Sequence, residues 1–187
     1  MVTDIKPIEH FKELVSDAMR RQKVETDSMA EYYLSSLLAS FATTEKSIDE
    51  PLAIAYLKAL GSARDVQLRQ MRAIGDISLF TSGFFSDSLK RKIVDIEYYM
   101  AMGSSCYAFV ASADKNKETR RLFSELASRF GAFVDVLNEV SERSSLTSST
   151  DILRIYERWL RTKSTIAEKK LRDMGIEPFE VGTKPVH

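Results

Sequence analysis

Histidine and cysteine, whose side chains often act as bases, nucleophiles or metal ligands, are rare in this chain: His10, Cys106 and His187. Zinc sites need several cysteine or histidine ligands, and helical di-iron sites need the Glu-x-x-His motif twice. The sequence provides neither. A nucleophilic Cys106 would need a histidine base and an exposed polar setting, whereas it stands in an apolar run that favours burial. The sequence therefore predicts no metal site, no catalytic residue and no bound cofactor.

Two further patterns raise cofactor hypotheses. A histidine on an early helix, followed by a glycine-bearing helix, is the arrangement of helical haem-degrading enzymes, but glycines are sparser here, so we interpret His10 as a surface residue. Asp87, Asp95 and Glu97 resemble the carboxylates of helices that bind magnesium and diphosphates. At roughly 100° per residue, Asp87 and Asp95 lie about 80° apart and two turns distant. We interpret these acids as a charged face balanced by Lys90, Arg91 and Lys92.

Tyrosine hydroxyls provide the best candidate for a ligand site. A buried tyrosine hydroxyl needs a hydrogen-bond partner. Five of the seven tyrosines are considered for this role: Tyr32, Tyr33, Tyr98, Tyr99 and Tyr107. Asp76 is one acceptor for them, although its spacing from Arg72 favours a solvated helix face. We place a candidate ligand pocket at Asp76, Tyr98, Tyr99 and Tyr107. The alternative is a core hydrogen-bond network without a ligand.

Asp76 lies in an unusual segment, GDISLFTSGFF, residues 75 to 85. Gly75 followed by Asp76 could end one helix and begin the next. The phase of the apolar residues instead predicts one continuous helix, because at roughly 100° per residue they fall on a single face: Val66, Ile74, Ile77, Phe80 and Phe84. A glycine inside a helix costs about 1 kcal/mol relative to alanine, which the close approach of another backbone would offset. The spacing fits neither phosphate-binding glycine motif.

The rest of the chain is predicted to be all α. Four prolines lie near segment edges and residues 52–177 contain none, as long helices require. Helices are expected over 8–22, from 26–28 to about 41 and from 51 to near 61. Ser28 is the predicted cap of the second helix, because Ser28 and Glu31 have capping-box spacing. A fourth helix is expected over 62–85 with Ser62 as its cap, and a fifth runs to about 112 after a turn at 85–88. The last two helices cover 117–141 and the segment that ends at 174. We predict a single-domain bundle of about seven helices around a central antiparallel hairpin, residues 62–112. Residues 1–174 form the domain and 175–187 an extended tail.

Charge and composition restrict the partners. Lys+Arg and Asp+Glu both number 27, so no overall field attracts the chain to nucleic acid or to an anionic membrane. No run approaches the roughly 20 apolar residues that span a bilayer, and the first residues lack a secretory signal pattern. A single cysteine fits a reducing compartment. We expect a cytoplasmic protein.

The last helix, DILRIYERWLRTKSTIAEKKLRDMG, carries a basic face. Arg154, Arg158 and Arg161 cluster opposite an apolar stripe. They form a candidate interaction face for a phosphate, an acidic partner or an anionic surface, with a solvated face as the alternative. Nucleic-acid contact through these arginines is a third hypothesis, which zero net charge disfavours.

The segments GDISLFTSGFF, YYMAMGSSCY and IYERWL occur in that order. With them, the whole chain resembles a group of uncharacterised bacterial all-helical proteins. The resemblance implies a single bacterial cytoplasmic domain and supplies no activity or binding residue.

From the residues themselves we expect a non-enzymatic binding, adaptor or regulatory protein that acts through protein–protein contacts, including self-association. The alternative is a small-molecule-binding or enzymatic helical domain whose pocket lies at the polar and aromatic residues of the central hairpin.

Overall fold

The computed structural model of the protein describes residues 7–43, 51–85 and 95–144, together with Trp159, Ser164, Thr165, Glu168 and Lys169. The chain divides into two compact units, residues 1–143 and residues 144–187. In the second unit Trp159 is buried and the N–H of Glu168 donates to the carbonyl of Ser164, as in a helix. The predicted basic face at Arg154, Arg158 and Arg161 and the predicted tail lie outside the described residues.

The predicted all-α fold is confirmed. Seven helices lie in the described part of the first unit: α1 Pro7–Gln22, α2 Ser28–Thr43, α3 Leu52–Leu60, α4 Arg64–Phe84, α5 Ile96–Ala113, α6 Lys117–Ser128 and α7 Phe130–Arg143. Among these described helices none is both long and apolar enough to cross a membrane.

The predicted central hairpin is formed by α4 and α5. Helix α4 runs through Gly75 without a break. Its contacts with α5 descend in residue number as α4 ascends: the Arg64 guanidinium lies over the ring of Phe109, Met71 lies beside Cys106, and Ser78 lies beside Gly103. The two helices are therefore antiparallel. Helix α4 also packs against α3 and α7, which makes it the central element of the unit.

Glycines mark the places where α4 and α5 are approached most closely. A Cβ added to Gly75 would lie 2.5 Å from Cε1 of Tyr107, and one added to Gly83 would lie 2.5 Å from Cβ of Leu137. A Cβ on Gly103 would overlap the ring of Phe130. The glycines thus offset their low helix propensity by packing. The approaching groups are chiefly side chains, not the backbone that the sequence led us to expect.

The predicted helix over residues 117–141 is two helices. They are interrupted at Arg129, which has φ −116° and ψ 24° and donates its N–H to the carbonyl of Glu125. The Arg129 guanidinium donates to the carbonyl of Glu25 at 2.5 Å and to Oε1 of Glu125 at 3.1 Å. Phe130, the first residue after this break, packs on Gly103. The interruption at Arg129 therefore depends on tertiary contacts. The apolar pattern of the sequence is continuous across it and does not predict it.

Two predicted caps are wrong in detail. Ala63, not Ser62, precedes α4, and the Ser62 hydroxyl instead lies 2.9 Å from Oε1 of Gln70. At the start of α2 the Met29 N–H donates to Oδ1 of Asp27, so Asp27 takes the place expected for Ser28. When several hydrogen-bond partners lie within reach of a serine or aspartate side chain, sequence spacing alone does not predict which one it bonds.

The packing at Gly75 generates a stability prediction. Gly75→Ala should lower the free energy of unfolding by about 1–3 kcal/mol despite alanine's better helix propensity, because the added methyl overlaps the buried Tyr107 ring. Urea denaturation measures the change. Gly61→Ala is the matched control, since Gly61 has an ordinary helical φ of −87° and its nearest neighbour would be 3.7 Å away. That control should be neutral or stabilising by up to about 1 kcal/mol. A Gly75→Ala variant as stable as the control would contradict the packing described.

Candidate functional site

The candidate site is built around the carboxylate of Asp76, on the middle of α4. Its Oδ1 accepts hydrogen bonds from the hydroxyl of Tyr33 at 2.5 Å and from the hydroxyl of Tyr107 at 2.8 Å. Tyr33 comes from α2 and Tyr107 from α5, and both side chains are buried. One carboxylate oxygen therefore joins three helices.

Arg72 adds a positive charge one helical turn before Asp76. Its Nε donates to the Tyr33 hydroxyl at 3.1 Å. The guanidinium carbon lies 5.1 Å from the centre of the Tyr33 ring and 5.4 Å from that of Phe123, within the range of cation–π attraction. Sequence spacing predicted a solvated Arg72–Asp76 face. That prediction holds for Arg72, which is exposed. It is wrong for Asp76, because tyrosines from two other helices pack over its carboxylate and leave it half-buried.

An aromatic frame fixes the two tyrosine rings. The Phe123 ring of α6 lies edge-on at 5.4 Å from Tyr33 and 5.2 Å from Tyr107. The Phe130 ring of α7 lies 5.8 Å from Tyr107. These contacts with Phe123 and Phe130 hold the two tyrosine rings so that both hydroxyls point at Asp76. We call Tyr33, Arg72, Asp76, Tyr107 and Phe123 the Asp76 cluster.

The electrostatics keep both hydroxyls protonated. Burial raises the pKa of Tyr107 well above its usual value of 10.0, and the charge of Asp76 raises it further. Burial, followed by Asp76, raises the pKa of Tyr33 in the same direction. Burial alone would lower the pKa of Arg72, but its contacts with Tyr33 and Asp76 outweigh that effect and raise it. At neutral pH the tyrosines are therefore hydrogen-bond donors and not bases.

The structure brings together two of the four residues assigned to the ligand pocket, Asp76 and Tyr107. Tyr98 and Tyr99 contact each other edge-on at 5.5 Å. They precede Tyr107 on α5 by about 12–14 Å along the helix axis, at 1.5 Å per residue. Tyr98 is 37% exposed.

Sequence analysis left Tyr33 and Arg72 out of the pocket. Tyr32 and Tyr33 of α2 were both considered as hydroxyl donors, yet Tyr32 is 59% exposed and Tyr33 is buried. The spacing of Tyr33 from Leu37, one turn later, was the signal for burial.

Three other side chains with potentially reactive groups are those of Cys106, His10 and Ser104. Cys106 is buried as predicted, with its sulfur 3.7 Å from that of Met71, and burial raises the pKa of its thiol to about 12. His10 is exposed, as predicted. Ser104, in the M-G-S-S-C segment, donates its hydroxyl to the carbonyl of Ala127. In the described ranges no group of three or more metal-ligating residues is found.

Comparison with known proteins gives no match to a protein-family model, and no significant similarity to a curated protein or to a solved structure. The chemistry of the site is therefore argued from its own geometry.

Removing one hydroxyl tests the cluster. Tyr107→Phe should lower the free energy of unfolding by about 1.5–3 kcal/mol, since it deletes a buried hydrogen bond to a charged acceptor without changing the ring. Chemical denaturation followed by circular dichroism measures it. Tyr98→Phe, at a partly exposed position, should change stability by less than about 0.5 kcal/mol. Equal effects of the two substitutions would show that the Tyr107 hydroxyl contributes nothing.

The raised pKa values also predict how stability depends on pH. The folded state keeps the Tyr33, Cys106 and Tyr107 protons at pH values where the unfolded chain releases them, near 9.0 for cysteine and 10.0 for tyrosine. Their contribution is therefore complete below these values and is lost as the pH rises above them. The free energy of unfolding should fall between about pH 9 and pH 11, by up to about 1.4 kcal/mol per pH unit for each retained proton. Tyr107→Phe should show a shallower decline, and an identical decline in both proteins would contradict the assignment.

Proposed function

We propose that this protein acts by binding other protein chains, and that α3 provides the contact surface. Three large apolar side chains on α3 face solvent: Ile54 is 43% exposed, Leu57 63% and Leu60 48%. We call these three residues the α3 ridge. Burying such a side chain completely is worth about 1.5–3 kcal/mol. The exposed Leu57, between two further apolar side chains, is the observation that carries the proposal.

The position of α3 explains why the ridge faces outward. Its other side is buried through Leu52 and Ala59, and the helix packs against α4. Lys58 is its single ionisable side chain apart from Tyr56. A helix that is apolar nearly all round is normally enclosed on all sides. Val66, on the first turn of α4, is a further exposed apolar side chain. The α3 ridge has the composition of an interface core and not of a solvated helix face.

The occupant of the ridge that we propose is a second copy of the chain. The ridge carries no charged residue, so it offers no charge pattern to select an acidic or basic partner. Equal numbers of positive and negative residues, 27 of each, leave no net repulsion between copies at neutral pH. Three side chains fall short of the roughly 800 Å² that each partner buries in a standard interface. The self-association should therefore be weak and dependent on concentration.

The geometry of the Asp76 cluster supports this function over a ligand pocket at the same residues. Both tyrosine hydroxyls already donate to Asp76, and the Tyr33 ring packs against both Arg72 and Phe123. The polar groups thus satisfy one another. A bacterial cytoplasmic setting, implied by the resemblance of the sequence, is part of the proposal.

Sedimentation velocity over about a hundredfold range of protein concentration tests it. The wild-type weight-average sedimentation coefficient should rise with concentration. Leu57→Glu should remain monomeric throughout, because a charge at the centre of an apolar interface is left without a partner. Its circular dichroism spectrum should match that of the wild type, since Leu57 contributes little to the monomer core.

Ala73→Glu is the matched control, because it places the same charge on an exposed site of α4. It should associate as the wild type does. A wild-type protein that stays monomeric over the whole range, or two variants that associate equally, would contradict self-association through α3.

A further inference from the structure

A second surface, independent of the α3 ridge, lies between α5 and α6. The Ser104 hydroxyl donates to the carbonyl of Ala127 at 3.0 Å and holds the two helices together. Beyond this contact the facing side chains are small, mostly alanine and serine, so the helices leave a groove of about 870 Å³ between them. Sites for small molecules typically measure about 300–1,000 Å³. We call this the α5–α6 groove.

The groove has a cationic end. Lys117, Arg120 and Arg121, on the first turns of α6, line it together with Ala108 and Ala111 of α5. Arg121 lies 3.3 Å from Asp27, so its charge is partly balanced. Lys117 and Arg120 form no ion pair with any residue that the structure describes. The nearby carboxylate of Asp114 accepts the N–H of Asn116 at the turn before α6. The groove therefore has an excess of positive charge at one end.

The remaining length of the groove is lined by small side chains, and most of its exposed lining is apolar. Three alanines provide methyl groups and four serines provide hydroxyls: Ala108, Ala111, Ala127, Ser104, Ser112, Ser124 and Ser128. No acidic residue is among the described residues that line it. The groove therefore has two parts. Lys117 and Arg120 can attract the acidic group of a ligand, and the mostly apolar remainder can contact the rest of that ligand.

We propose that the α5–α6 groove binds a small organic anion, with the acidic group between Lys117 and Arg120 and the apolar body along the alanines. Salt contacts at such an exposed site are individually weak. Affinity therefore depends on both parts of the ligand, and it falls as ionic strength rises. A free molecule fits better than a membrane surface, because the cations lie beside a groove between two helices and the chain has no net charge. The proposal concerns residues outside the α3 ridge and does not depend on self-association.

A matched pair of fluorescent probes tests both parts of the proposal. Anilinonaphthalene sulfonate carries an anionic group on an aromatic body, and N-phenylnaphthylamine has a similar body without the charge. The sulfonate should bind the full-length wild-type protein with one-to-one stoichiometry. Arg120→Glu should weaken its binding about tenfold, since the substitution removes one attraction and adds one repulsion. Binding of the uncharged probe should not change in that variant.

Three further variants locate the probe. Ala108→Leu fills the groove at an exposed position and should reduce the binding of both probes. Lys115→Glu makes the same charge change on an exposed residue outside the groove lining and should leave both affinities unchanged. Leu57→Glu should also leave them unchanged.

Other results would overturn the proposal. They are absence of sulfonate binding, wild-type affinity in Arg120→Glu, or loss of binding in Leu57→Glu alone, which would place the probe on the α3 ridge. Sedimentation of the protein with phosphatidylglycerol vesicles in a manner that depends on Arg120 would identify a lipid surface in place of a free anion.

Discussion

The close approach of the Tyr107 ring to the backbone of Gly75 is the contact on which the bundle depends. The ring occupies the space where a side chain at residue 75 would stand, and this places its hydroxyl on the neighbouring Asp76. The same carboxylate oxygen receives Tyr33 from α2, while Phe123 of α6 and Phe130 of α7 pack against the ring. The absence of one side chain therefore allows α2, α5, α6 and α7 to meet at a single turn of α4.

A carboxylate in this position requires compensation, because desolvation penalises its charge. Two hydroxyl donors and the nearby Arg72 provide it. An apolar core of the same shape could be equally stable, but it would tolerate alternative packings of the helices, whereas a hydrogen-bonded network has one satisfied arrangement. The crossing of α4 and α5 also has a cost: the Ser78 hydroxyl, packed at Gly103, is buried and has no hydrogen-bond partner among the residues that the structure describes. The specificity of the crossing thus comes from small side chains and one polar cluster together.

Much of this architecture could be predicted from the sequence. The phase of Ile74, Ile77 and Phe80 through Gly75 identified α4 as a continuous helix, because periodicity is a local property of the chain. The choice of Tyr33 over Tyr32, and the break at Arg129 between α6 and α7, depend on residues from other helices that lie far away in the sequence. The Asp76 cluster was predicted only in part for the same reason. Hydroxyl chemistry indicated Asp76 and Tyr107, but Tyr98 and Tyr99 have the same chemistry on another part of α5 and lie apart from the cluster. The cations that line the α5–α6 groove belong to a charged segment that is ordinary for a helix surface. The sequence did not predict the groove, because it depends on small residues of α5 that face these cations.

The described part of the first unit thus combines a rigid centre with two surfaces, the apolar α3 ridge and the cationic α5–α6 groove, that the centre does not use. The central claim is that α4 is unbroken at Gly75 and is held there by Tyr107 and Asp76. Native-state amide hydrogen exchange tests it most directly. The account predicts that the amides of Gly75, Asp76 and Ile77 exchange only through global unfolding, with the same protection as Met71 and Leu79. Exchange at those three amides that is orders of magnitude faster than at their helical neighbours would show a locally open segment and contradict it.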